Sequence, residues 1–189
     1  MDREKKMHHS GGMGWGRFAA MILTSTAVMV VLMYQLVYEL DHVYFSLNRL
    51  VASLVMGCVM VVIMLGFMWP MYKGTATKVI VLAAGVIGAI GLLAVNRSQA
   101  LIDDEAFMRS MIPHHSIAIN NARKATISDP RVRALADQII RSQVTEIEEM
   151  RLLLNDIDIN GERGDVALPP GSAKLTPDLA AEARKALEE

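Results

Sequence analysis

The sequence predicts an all-α protein: three membrane-spanning helices followed by an antiparallel helical hairpin outside the bilayer. Three observations carry this. Residues 18–38, 50–71 and 79–95 are apolar runs long enough to cross a hydrocarbon core of roughly 30 Å at about 1.5 Å per helical residue. From Asp103 onward, apolar residues recur at i, i+3, i+4 and i+7 within otherwise polar segments, the spacing of one helix face. A short turn near Ser128 and Asp129 separates two such segments, and short connections join antiparallel helices.

Taken in order, residues 1–17 form a tail on the cytoplasmic side. Met7, His8, His9 and Met13 in it are metal-capable, but a glycine-rich flexible segment is poorly preorganised, so they are read as solvent-exposed. Residues 18–96 form the membrane domain. The first span is too long for the apolar core of a secretory signal and other spans follow it, so it is read as retained. Arg3, Lys5, Lys6 and Arg17 precede it, and Lys73 and Lys78 lie between the second and third spans. The 39–49 loop offers only Arg49, beside Glu39 and Asp41. This bias puts the N-terminus in the cytoplasm, and three crossings then place residues 97–189 in the periplasm or its extracellular equivalent. A multi-pass protein of a bacterial inner (plasma) membrane is expected. Trp15, Trp69 and Tyr72 fit an inner aromatic belt, and Tyr34, Tyr38 and Tyr44 an outer one.

Met56, Met60, Met64 and Met68 recur every fourth residue in the second span, with Met71 just beyond. With Met29, Met33 and His42 they outline a conceivable metal path, but methionine is a flexible apolar filler and packing is the better reading. Cys58 is the single cysteine and lies within a span, so no intrachain disulfide forms. It is read as a small buried residue. Ala84, Gly85, Gly88 and Gly91 allow close helix approach in the third span. The acids and bases cluster at the ends of the spans, which argues against a proton-coupled pump.

Residues 97–160 carry the chemistry. Met108, Met111 and His115 share one helical stripe, continued by Ile119 and Ala122, with His114 turned aside. Pro113 removes one backbone donor within this helix and predicts a kink. The second helix is expected from about Pro130 to about Asp158, with Asp129 as its N-cap, Pro130 at its first position and Asn160-Gly161 as its stop. Its stripe reads Val132, Leu135, Ala136, Ile139, Gln143, Glu146, Met150, Leu153, Leu154 and Ile157. In an antiparallel hairpin His115 comes level with Gln143, Met111 with Glu146, and Met108 with Met150. Thioethers and imidazoles gathered in this way suit a soft ion, copper(I) above all. The plainer alternative is a polar seam in which His115 hydrogen-bonds Glu146 while the methionines pack. Spacing alone leaves both open.

The strings at residues 107–119, 129–140 and 143–150, above all Met-Ile-Pro-His-His at 111–115, resemble the domain of unknown function 305 family. The resemblance covers about residues 99–157. It implies a ferritin-like helical fold and, from the periplasmic copper-binding members, metal ligation by Met108, Met111, His114, His115, Glu146 and Met150. Tyr-Glu-Leu-Asp-His-Val-Tyr-Phe-Ser-Leu-Asn-Arg at residues 38–49 is similar to a membrane-anchored subgroup. Copper(I) is favoured over zinc because thioethers are poor zinc ligands and the domain has no thiolate; copper(II) through His114, His115 and a carboxylate is the variant.

A ferritin-like bundle needs four helices, and the hairpin supplies two. A homo-oligomer that pairs two hairpins is therefore expected, with residues 177–187 folding back as the alternative. The sequence does not place a Glu-x-x-His pair on each of two helices, as diiron enzymes do, and shows no nucleophile constellation, so no enzyme is expected. The formal net charge of −1 argues against a nucleic-acid partner. Residues 161–189 read as a linker around Pro169-Pro170-Gly171 and a charged last helix from Pro177 to about Leu187, capped by Thr176. The expected function is membrane-anchored copper sequestration or handover. The competing one is an accessory membrane subunit whose hairpin mediates assembly without metal.

Overall fold

The computed structural model describes residues 14–187, so Met7, His8, His9 and Met13 lie outside the described residues. Within them the chain is all-helical, with no strand. The helices are α1 (Trp15–Leu32), α2 (Leu47–Phe67), α3 (Thr75–Ser98), α4 (Asp104–Lys124), α5 (Pro130–Asn160) and α6 (Pro177–Lys185). Two compact units result. The first takes the chain up to Gln35 together with Ser46–Ile102; the second takes Leu36–Phe45 together with the chain from Asp103 onward.

In the first unit α1, α2 and α3 are each long and apolar enough to cross a membrane. Their boundaries differ from those expected. The first span stops at Leu32 rather than at 38, because polar partners draw the following turn away from helical bonding. The Arg49 guanidinium donates to the Met33 carbonyl and lies 4.5 Å from the Tyr34 ring centre, and the Ser46 N–H donates to Tyr34 Oη at 3.0 Å. Ser46 also caps α2, its side chain accepting from the Arg49 N–H, so α2 begins before residue 50. The third helix begins at Thr75, ahead of its apolar run, and its first turns bury Lys78. That ammonium donates to the Trp69 carbonyl at 3.2 Å and sits 4.5 Å from the Trp69 ring centre.

Small residues bring these helices together. A Cβ at Gly57 would fall 2.6 Å from Thr26 Oγ1 of α1. One at Gly85 would meet the methyls of Val61 and Val62 at 3.1 Å, and one at Gly88 would meet Cys58 Sγ at 3.0 Å. Gly91, by contrast, faces open space. Met64 and Met68 pack around Phe18, Leu65 and Tyr72, and Met33 Sδ accepts from Ser53 Oγ at 3.3 Å. These methionines are filling space, as the packing reading holds.

In the second unit both helices of the hairpin are capped, α4 by Asp103 and α5 by the expected Asp129. Asp103 accepts from the Ala106 N–H at 2.8 Å and Asp129 from the Arg131 N–H at 2.9 Å. Helix α4 runs unbroken through Pro113. Helix α5 continues two residues beyond Asp158 to Asn160, where Gly161 takes φ +78 and its N–H closes on the Ile157 carbonyl at 2.8 Å. Helices α4 and α5 pack directly on one another around Met108, Ile112, Ile119, Ile147, Met150 and Leu154.

The buried face of α5 is not the expected one. Ala136, Ile147, Met150 and Leu154 are buried and Ile140, Gln143 and Ile157 half-buried, while Val132, Leu135, Ile139 and Leu153 are exposed. The inward positions 136, 140, 143, 147, 150, 154 and 157 alternate steps of four and three, the seven-residue repeat of a two-helix seam. The expected stripe shares Ala136, Gln143, Met150, Leu154 and Ile157 with this face but took Val132, Leu135, Ile139 and Leu153 in place of Ile140 and Ile147. Tyr38 and Tyr44, expected in an outer belt, instead pack against this core. Thr176 caps α6 as expected, accepting from the Leu179 N–H at 3.3 Å, but α6 buries no side chain and ends at Lys185.

Candidate functional site

The α4–α5 seam brings His115 and Glu146 together, with 3.0 Å between His115 Nδ1 and a Glu146 carboxylate oxygen. Simple register placed Glu146 opposite Met111. The side chains meet because helical Cα–Cβ bonds tilt toward each N-terminus, so in antiparallel helices these two lean toward one another. The carboxylate is already held on its own helix: Gln143 Nε2 donates to one oxygen at 3.0 Å and Ser142 Oγ to the other at 2.5 Å. His115 Nδ1 is buried and close to this carboxylate, yet it is not aligned for a hydrogen bond to it or to any other described group.

Burial of the ring lowers the His115 pKa below its ordinary value, against the pull of Glu146 and helped by neighbouring His114. The imidazole is therefore neutral at pH 7, with a nitrogen available to an electrophile. A lowered folded-state pKa means that the unfolded chain binds the extra proton first. Its contribution to stability is thus complete above about pH 6.5 and is lost as pH falls below that value. With a chelator present, the melting temperature of the wild type should fall as pH drops from 7 to 5. In His115→Gln that fall should be smaller; an equal fall in both would place the titrating group elsewhere.

The other residues singled out in the sequence are distributed around this pair. Met108 and Met150 are buried in the same core, and Met111 packs against it. His114 is exposed, its ring centre 6.0 Å from that of His115. Met108, Met111, His115, Glu146 and Met150 therefore share the seam, and His114 stands at its edge.

A second constellation was not found by sequence reasoning. Ser116, next to His115 and fully buried, accepts from the Tyr38 N–H at 2.8 Å and shares a 3.0 Å hydrogen bond with His42 Nδ1. Arg151 of α5 donates to Asp41 at 3.1 Å, and the Arg123 guanidinium lies 5.1 Å from the Tyr38 ring centre. The 36–45 segment is thereby fastened to both helices. In the sequence, Ser116 has no partner nearer than seventy positions away, and only the string at residues 38–49 marked the segment.

Residues 94–174 match the profile of the family described as Domain of unknown function (DUF305). This segment belongs to the DUF305 family. The DUF305 match contains every residue of the α4–α5 seam named above, and it begins within α3. One relative, Uncharacterized protein L153 of Acanthamoeba polyphaga mimivirus, is 45% identical over 62 residues. That alignment covers 32% of this chain and 41% of the relative, so the chain spans about two-fifths of the length of the curated relative it matches. No solved structure matches the chain.

Proposed function

We propose that this chain is a membrane-anchored copper-binding protein that takes copper(I) as cargo at the α4–α5 seam, without catalysis. One observation carries the proposal: His115 Nδ1 is buried, uncharged and without a hydrogen bond, in the seam that holds Met108, Met111 and Met150. Thioether is a donor that a soft monovalent ion accepts and that harder ions leave, and neutral imidazole serves that ion as well. Glu146 beside them supplies the compensating negative charge, and His114 at the exposed edge is placed to pass the ion in or out. Copper sequestration and handover to a partner both use this arrangement.

α1, α2 and α3 anchor the protein in a bacterial inner membrane with the N-terminus cytoplasmic, following the basic residues at their ends. Three crossings put the α1–α2 connection and everything after α3 on one side, and Leu36–Phe45 and the chain from Asp103 onward indeed form one unit. That side is the periplasm in this reading. Val132, Leu135 and Ile139 lie exposed along one line of α5 and offer a second hairpin the surface that completes a four-helix, ferritin-like bundle in a homodimer.

A structural reading has its own support, since the Glu146 carboxylate is fully engaged by Ser142 and Gln143 while Met108 and Met150 are packed in the core. Melting curves of the detergent-purified full chain separate the two. Copper(I) at a hundredfold excess over its Kd stabilises a folded binder by about 2.7 kcal/mol. The wild type should melt higher with copper(I), and Met111→Ala should lose most of that shift when measured against its own metal-free melting temperature. No shift in the wild type would favour the accessory-subunit reading.

A further inference from the structure

The geometry points to a second metal site, in which Glu39, Asp41 and His42 hold a divalent transition ion of the zinc(II) class through two carboxylate oxygens and one imidazole nitrogen. Among the described residues these three form the one group of His, Cys, Asp or Glu whose ligand atoms all lie within 4.8 Å of one another. The imidazole is more than a neighbour of two acids. Its side chain is nine-tenths buried, and its Nε2 lies 3.9 Å from an oxygen of Glu39 and 3.9 Å from an oxygen of Asp41. Its other nitrogen, Nδ1, is fixed by the 3.0 Å bond to Ser116 Oγ, which is the outer-shell support that orients a ligating histidine.

The distances suit an ion after a small movement. Ligand atoms around tetrahedral zinc, each about 2.1 Å from the metal, lie about 3.4 Å apart, so each 3.9 Å gap must close by roughly half an ångström. The histidine is fixed, and both carboxylates are half exposed: Glu39 has solvent room to swing in, while Asp41 is held by Arg151 through its other oxygen. Glu39 and His42 open onto a cavity of about 360 Å³ also lined by Glu148, Arg123 and Arg151, which gives access and room for a water in the fourth position.

Charge sets the metal class. Arg151 binds Asp41 Oδ2 at 3.1 Å and leaves Oδ1 facing His42, so the guanidinium neutralises part of the acid without blocking it. Oxygen and imidazole donors without a thioether select a borderline divalent ion, where the α4–α5 seam selects a soft monovalent one. The two sites are therefore separable by metal and by mutation.

Calorimetric titration of the detergent-solubilised full chain with zinc(II) tests this. The wild type should bind, the Glu39→Gln, Asp41→Asn double variant should bind at least tenfold more weakly, and His115→Ala should match the wild type. Both substituted carboxylates are half exposed, so a metal-free melting curve equal to that of the wild type will show the fold retained. Arg151→Gln, which removes the competing cation, should tighten binding. Zinc affinity unchanged in the double variant, or lost equally in His115→Ala, would overturn the assignment, as would an absence of zinc binding by the wild type.

Discussion

Ile112→Ala is expected to destabilise the second unit by about 2–5 kcal/mol, the range for truncating a fully buried branched side chain. Ile112 has no exposed surface and sits between Met108 and Ile119 on α4, facing Ile147, Met150 and Leu154 of α5. Rigid neighbours on both helices leave the cavity unfilled, so the loss exceeds the transfer free energy of the missing carbons. Denaturant titration read by amide exchange within α4 and α5 measures this without requiring the apolar unit to unfold. A loss below about 1 kcal/mol would mean that the two helices do not share this core.

Ser116→Val should free the 36–45 segment. Valine adds one methyl, as threonine does, but also removes an oxygen that accepts from the Tyr38 N–H and bonds His42 Nδ1. Each buried group left without a partner costs on the order of 1–3 kcal/mol. Amides 36–45 should then exchange much faster, while those of α2 keep their wild-type protection. Ser116→Thr retains the hydroxyl and should fall between the two. Unchanged protection in Ser116→Val would remove the hydroxyl from the structural role given to it here.

What the sequence disclosed, and what it hid, follows from the range of the forces involved. The caps at Asp129 and Thr176 were legible because these side chains act on amides two or three residues away. The close approaches at Gly85 and Gly88 were legible because only small residues tolerate them. Burial on α5 was not: Ile139 and Ile140 are equally apolar, and only the partner helix decides which of them turns inward. The end of α1 was hidden for a related reason. Residues 33–38 prolong the apolar run with Gln35 as their one strongly polar side chain, and what stops the helix is Arg49 and Ser46 reaching back from α2. At the candidate site, the placing of Met108, Met111, His115, Glu146 and Met150 along one two-helix seam followed from spacing and a short turn, whereas the pairing of Glu146 with His115 rather than Met111 did not. The partnership of Ser116 with His42 depends on a loop crossing to another part of the chain, which no periodicity records.

Copper(I) affinity at the α4–α5 seam is the central claim, and an anaerobic titration against a competing chromophoric chelator tests it most directly. The detergent-purified wild type should withdraw copper(I) from the chelator. The His114→Ala, His115→Ala double variant, confirmed as folded by its helical circular dichroism, should bind at least tenfold more weakly, a loss of about 1.4 kcal/mol or more. Equal, weak binding by both proteins would contradict the account and leave a membrane scaffold with a polar seam in its place.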